Sequence, residues 1–273
     1  MEIGLPFEPT AAGRWSGLRR RLLGPAVGLR VLSLLAALLV WQGLSLVVGA
    51  RFIPGPGVTF AELWRLVVSG EVWGQFLITL ERMGISFALA MAGGIAVGTL
   101  MGLYGRAEKL LDLWITVGLA IPGLCYVIIA FMWLGLNDRA AVLAIALSTF
   151  PAIAINVWQG TKAIDQGLVD MSRVFGASAW RRATRVVFPQ VLPYVMAAAR
   201  SGVGVVWKVT VVVELLGRSN GIGYQLNYNF QVFDMAGVFA WTLFFTLVMI
   251  VIEIAIMKPV EGWLFRWRPA VRG

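Results

Sequence analysis

Six long apolar runs constrain this chain more than any other feature. They lie near residues 31–49, 77–103, 110–134, 140–159, 193–213 and 237–257. At about 1.5 Å per helical residue, each is long enough to cross about 30 Å of hydrocarbon. The runs are continuous rather than alternating, which excludes a membrane β-barrel. Of the 273 residues, 59% are hydrophobic and 14% charged, against about 25% charged in a soluble domain. The expected fold class is an all-α integral membrane protein with about six transmembrane helices.

The opening "MEIGLPFEPT" holds two acids and two prolines. A cleaved signal instead has a basic start and an apolar core. The chain is therefore expected to stay in the lipid bilayer of a bacterial inner (plasma) membrane. With the N-terminus in the cytoplasm, sixteen of the 23 Lys and Arg fall inside and four outside, while Arg82, Arg200 and Lys208 fall within spans. The bias of basic residues toward cytoplasmic loops places both termini inside. It also accounts for the net charge of +9 without nucleic acid, which is not expected as a partner.

Cys125 is the one cysteine, so no internal disulfide forms. Histidine is absent, which removes the commonest acid–base group and metal ligand. No metal site and no nucleophile–base pair is visible, and an enzyme is not expected. No internal repeat pairs the first three spans with the last three, as inverted-repeat carriers often show. The expected division is a cytoplasmic arm over 1–30, one transmembrane domain over 31–260 and a cytoplasmic tail over 261–273.

Within the second span, Ala90, Gly94, Gly98 and Gly102 recur every four residues. Such a ridge lets helices approach closely in lipid, either as ordinary packing or beside a translocation path. Pro122 and Pro151 sit inside the third and fourth spans, where proline kinks a helix.

Between the fourth and fifth spans lies a basic stretch, "DMSRVFGASAWRRATRVVFPQVLPYV". Over 179–188, Arg181, Arg182 and Arg185 share one helical face, with Trp180, Ala183, Val186 and Val187 opposite. Ser178 is placed to cap this helix. A second short helix precedes it, Gly176 permits the turn between them, and Pro189 and Pro193 are expected to end the segment. This helix–Gly–helix elbow, over 165–190, suits either an anionic lipid surface or a cleft in a partner protein.

Charges within spans need partners or water, because each costs at least ~2.5–3.5 kcal/mol. Arg200 on the fifth span and Glu253 on the sixth count to similar depths and are expected to pair. Glu81, Arg82, Lys208 and Glu214 count to a common level in the outer half. They either line a cavity or pair among themselves, Lys208 with Glu81 or Glu214. The following segment, "GRSNGIGYQLNYNFQVFD", reads as a loop with a short dipping helix bearing Tyr224, Asn227 and Tyr228. These face a solute path, or simply the membrane interface.

The spacing of the elbow resembles the EAA loop of ABC importer permeases. An acid-led triplet, Asp170-Met171-Ser172, is followed at the family's intervals by Gly176-Ala177, then Val186, Phe188 and Pro189. The departure is Asp-Met-Ser for Glu-Ala-Ala, with Met171 where a small residue is usual. "RFIPGPGVTFAELWRLV", "TLERMGISFALAMAGGIAVGTLMG", "LAIPGLCYVIIAFMWLG" and "VELLGRSNGIGYQL" resemble the nitrate/sulfonate/taurine-type subfamily, in order over roughly 40–260.

The resemblance implies a type I importer permease fold and a self-dimer. It also implies docking of each elbow on one of two copies of an ABC ATP-binding subunit, and solute delivery by a periplasmic or lipid-anchored binding protein. Asp170 and Arg181 would then contact the ATPase, Trp180 would enter its cleft, and Gly176 would set the bend. ATP and Mg would sit on the partner, with no cofactor on this chain. In agreement, none of the four lysines follows a glycine, as a phosphate-binding P-loop requires. The solute expected is a small anion, with Lys208 offsetting its charge. The alternative is an ion-coupled secondary carrier acting without an ATPase.

Overall fold

The computed structural model describes residues 25–264. Residues 1–24 of the expected arm (1–30) and 265–273 of the expected tail (261–273) lie outside the described residues. Among the described residues there are helices and no strands. The chain divides after Ala61 into a small and a large unit.

The small unit carries α1 (Pro25–Val48) and the start of α2 (Pro56–Val68). Residues 25–30, expected to belong to the arm, are the first turns of α1. From Gly28 to Val48 this helix is long and apolar enough to cross a membrane. The chain turns at Gly49, whose φ of 101° favours glycine, and the Trp41 indole N–H donates to the Pro54 carbonyl at 2.9 Å.

The large unit continues with α3 (Glu71–Leu103), α4 (Gly105–Ala120), α5 (Gly123–Leu134) and α6 (Asp138–Lys162). After these come α7 (Gln166–Val174), α8 (Ala179–Arg182), α9 (Phe188–Gly217), α10 (Ile222–Gln231), α11 (Met235–Ile252) and α12 (Lys258–Leu264). π-helical turns join α8 to α9 at Ala183–Val187 and α11 to α12 at Glu253–Met257.

The small-residue ridge packs α3 on α6. A Cβ on Gly98 would collide with the Ala154 carbonyl and lie 2.8 Å from Val157 Cβ; one on Gly94 would meet Ile153 and one on Gly102 would meet Thr161. Residue numbers rise together along both helices, so α3 and α6 run parallel. By the same reasoning α9 is antiparallel to α6, through Gly202 on Ile153 and Tyr194 on Gly160. Helix α11 is antiparallel to α9, through Trp207 stacked on Phe245 at 3.9 Å and Arg200 bonded to Glu253.

The third span, expected over 110–134 with a kink at Pro122, is broken into two helices. Helices α4 and α5 meet at 97°. Pro122 donates no backbone bond and forces Ile121 to an extended conformation, with ψ 122°. The Tyr126 hydroxyl donates to the freed Gly118 carbonyl at 2.8 Å. Because α3 and α6 are parallel, the bent pair must still return the chain across the thickness between them. Contacts at both ends agree: Lys162 bonds Glu108 at one end, and Arg82 bonds Asp138 at the other.

A second expectation is also corrected. Pro189 and Pro193 do not end the basic segment, because Ala179–Gly217 is one continuous helix of 39 residues. The wide turn at Ala183–Val187, where the Phe188 N–H reaches the Ala183 carbonyl, absorbs the misfit. Pro189 then falls in the first turn of α9, where a missing donor is tolerated. Pro193 lies inside the helix.

Candidate functional site

The elbow is built from the ends of two helices. Asp165 caps α7, accepting from the N–H of Gly167 at 2.8 Å and of Leu168 at 3.3 Å. Helix α7 closes in a Schellman turn: the Ala177 N–H reaches the Ser172 carbonyl at 3.0 Å, and the Gly176 N–H reaches that of Arg173 at 2.9 Å. This turn requires the left-handed φ of 69° at Gly176, which glycine adopts without strain. Ser178 then caps the next helix, accepting from the Arg181 N–H at 3.3 Å.

The turn presents apolar side chains to solvent. Val174 is 86% exposed, Phe175 80% and Trp180 78%, with Met171 beside them. Ser172 points the other way, buried, its hydroxyl donating to the Val169 carbonyl at 2.6 Å. Asp170 is exposed and pairs with Arg173 at 2.8 Å, a local contact within α7. Arg181 and Arg185 are exposed, Ala177 and Pro189 half-buried. A cluster of exposed large apolar residues ringed by charge suits a surface that another protein or a lipid layer covers.

Two features here were not visible in the sequence. Val174 and Phe175 are the most exposed of the group, and no periodicity singles them out. Gln190 accepts from the Asp165 N–H at 2.7 Å through its carbonyl oxygen, and donates from its amide nitrogen to the Val186 carbonyl at 2.9 Å. One side chain thus closes the base of the elbow onto the long helix.

At the opposite end of the bundle, two of the four charged residues that count to one level, Arg82 and Glu214, form a buried knot. Glu214 is 0% and Arg82 4% exposed. The Glu214 carboxylate accepts from Arg82 Nη1 at 2.8 Å, Thr79 Oγ1 at 2.9 Å and the Gly223 N–H at 2.9 Å. Arg82 also donates to Asp138 Oδ1 at 2.8 Å, to the Asn220 carbonyl at 3.1 Å and to the Asn220 side chain. Arg218 bonds Asp138 Oδ2 at 3.0 Å. Glu214 has its polar atoms engaged and buried, while Arg82 reaches a small polar cavity beside Asp138 and Asn220.

The same knot explains "GRSNGIG". Three N–H groups at the start of α10 are capped by side chains of other helices. Gly221 donates to Gln75 Oε1 at 2.6 Å, Ile222 to Thr79 Oγ1 at 2.9 Å, and Gly223 to Glu214. A Cβ on Gly221 would collide with the Glu214 carboxylate, and one on Gly223 would lie 2.7 Å from Glu214 Cβ.

Lys208 joins neither Glu214 nor Glu81. Counting along the chain sets depth but not azimuth: six residues carry Glu214 about 240° around the helix from Lys208. Lys208 is exposed and, among the described residues, without a partner. It shares an open face of α9 with Arg200, Ser201 and Gly204, where a Cβ on Gly204 meets nothing within 4 Å. Glu81 is exposed at a polar cavity of 290 Å³ that includes Arg82, Asp138 and Asn220. A larger groove of 620 Å³, lined by side chains such as Phe76, Met83, Phe87 and Phe244, offers no polar group to an anion.

Arg200 bonds Glu253, and its other terminal nitrogen reaches Glu261 at 3.0 Å. Glu261, assigned to the tail, comes into play because the helix continues through the π turn at Glu253–Met257. Tyr224 stacks on Tyr228 at 6.3 Å along α10, with Asn227 half-buried between them in sequence. After α10, Phe233 takes a left-handed φ of 59° at the turn into α11.

Comparison with known proteins bears on this geometry. Residues 90–258 match the model of the family described as binding-protein-dependent transport system inner membrane component. The chain is 29% identical to a putative aliphatic sulfonates transport permease protein, SsuC, of Bacillus subtilis, over 86% of this chain and 85% of that one. It is 30% identical to the nitrate import permease protein NrtB of Synechococcus elongatus, over 68% and 71%. A crystal structure of an amino acid ABC transporter covers 75% of this chain and 97% of its own, with a TM-score of 0.59 at 18% identity, so the fold is that of type I importer permeases. The elbow, the broken third span and these matches lead to one assignment: the chain belongs to the binding-protein-dependent transport system inner membrane components, the multi-pass permease subunits of ABC importers.

Proposed function

We propose that two copies of this chain form the membrane path of an ATP-driven importer, each offering its elbow, on the cytoplasmic side, to one ATP-binding subunit. The elbow carries this reading. Val174, Phe175 and Trp180 stand in water at a rigid turn, on a helix that runs unbroken into the membrane. A partner that binds them gains apolar burial at about 25 cal/mol per Å² and a lever on α9. ATP and Mg belong to that partner, and both termini of the permease lie in the cytoplasm. A periplasmic or lipid-anchored binding protein delivers the solute.

We read the solute as a small anion of the sulfonate, taurine or nitrate kind. Two relatives are named for aliphatic sulfonates and nitrate. Lys208 supports the same reading, since an exposed ammonium within a span needs water or an anion beside it. The open face of α9 at Arg200, Gly204 and Lys208 is the path we assign. Tyr224 and Asn227 stand near its outer mouth on this reading.

Reconstitution tests the proposal. Proteoliposomes holding the permease and its ATP-binding subunit, with binding protein added outside, are expected to accumulate an alkanesulfonate or nitrate only with ATP inside. Uptake driven by an ion gradient without the ATP-binding subunit would establish a secondary carrier instead.

A further inference from the structure

One of the residues that hold α10, Glu214, sits on the far end of the helix that begins at the elbow. Ala179–Gly217 is continuous over 39 residues, about 58 Å. Its first turn carries Trp180 and its last carries Glu214. Glu214 bonds the Gly223 N–H in the first turn of α10, and Arg82 and Thr79 complete the socket from α3. Nothing of α10's own sequence caps its N-terminus, because Gly221 precedes it and offers no side chain. The seat of α10 is therefore made by other helices, and its position is set by where α9 and α3 stand.

We propose that Glu214 is the positioning residue through which displacement of the elbow reaches the outer face of the permease. Helix α9 acts as the rod, Glu214 as the pin, and α10 as the element carried. Two physical points favour transmission here. The carboxylate is wholly buried, so each of its bonds acts at low dielectric and cannot be exchanged for water. The contacts on Gly221 and Gly223 are too close for any side chain, so α10 cannot slide on α9 without breaking the N–H bond. Arg218 and Asp138, the latter 59% exposed, form the wetter rim of the same knot and can exchange partners during movement.

This inference rests on the reading of the chain as the permease of an ATP-driven importer. The test uses the assembled permease and ATP-binding subunit in proteoliposomes, in a Cys125→Ser background. Nitroxide labels are placed singly at Tyr228→Cys on α10 and Ala197→Cys near the elbow end of α9. Label mobility is read by EPR before and after trapping with ATP and vanadate. The unaltered knot is expected to give an ATP-driven mobility shift at both positions, and no shift at either would refute the importer reading itself. With Glu214→Gln the shift at Tyr228→Cys is expected to be lost while that at Ala197→Cys persists. A shift retained at Tyr228→Cys, or lost at both positions, overturns the proposal. Thr79→Val keeps the side-chain shape and removes both the Ile222 acceptor and one donor to Glu214. It is expected to weaken the shift at Tyr228→Cys alone, and an undiminished shift there also overturns the proposal.

Discussion

The Asp165 N–H donates to the Gln190 side chain across 2.7 Å, tying the start of α7 to the first turns of α9. The same amide bonds the Val186 carbonyl inside the π turn, so the elbow and the long helix share one polar link at their base. Gln190→Leu removes both bonds and leaves the size of the side chain nearly unchanged. The expected cost is about 1–2 kcal/mol, two exchangeable bonds at a half-wet site. The expected outcome is reduced uptake per ATP hydrolysed, with the complex still assembled on gel filtration. Unchanged uptake per ATP would show that the link does not transmit force.

The turn at Gly176 has no neighbour within 4 Å of an added Cβ, so its only demand is the left-handed φ of 69°. Substitutions there should rank by backbone preference and not by size. Gly176→Asn, which tolerates this conformation, is expected to keep most ATP-driven uptake. Gly176→Val, at a cost of about 1–2 kcal/mol, is expected to lose most of it. Equal uptake by the two variants would mean that the turn does not set how Phe175 and Trp180 are presented.

Lys208→Met is expected to raise the KM for an anionic solute roughly tenfold, the loss of one charge-assisted contact of about 1.5 kcal/mol. Lys208→Arg is expected to recover most of it. A KM unmoved by Lys208→Met would remove this face of α9 from the path.

At the ridge between α3 and α6, Gly98→Ala places a methyl group against the Ala154 carbonyl and Val157. The neighbours are backbone and a β-branched side chain, which yield little. The expected loss is about 1–3 kcal/mol, read as a lower midpoint in thermal unfolding of the detergent-purified chain. An unchanged midpoint would mean that the helices stand further apart than described.

Much of this fold was legible because lipid imposes a simple rule on sequence. Apolar runs marked the spans, and the four-residue recurrence of Ala90, Gly94, Gly98 and Gly102 marked the α3 face that meets α6. Pro122 was legible as a kink but not as a bend of 97°, which depends on Ile121 and on the hydroxyl of Tyr126. Pro189 misled because a π turn has no composition of its own. Counting residues placed Arg82, Lys208 and Glu214 at one depth, yet which of them touch depends on rotation about each helix. That rotation put Glu214 into the bundle and Lys208 outside it. Gln190 and Glu261 left no pattern to read, since a single polar residue near a helix end is ordinary.

The central claim is that a separate ATPase holds the elbow, and cross-linking from its most exposed ring tests this most directly. A photoreactive amino acid is placed at Phe175 in the assembled complex and irradiated with and without trapped nucleotide. The account predicts a covalent adduct with the ATP-binding subunit whose yield changes when ATP is trapped. Adducts with lipid alone, or labelling of this position by a membrane-impermeant reagent added to the outside of intact cells, would contradict it.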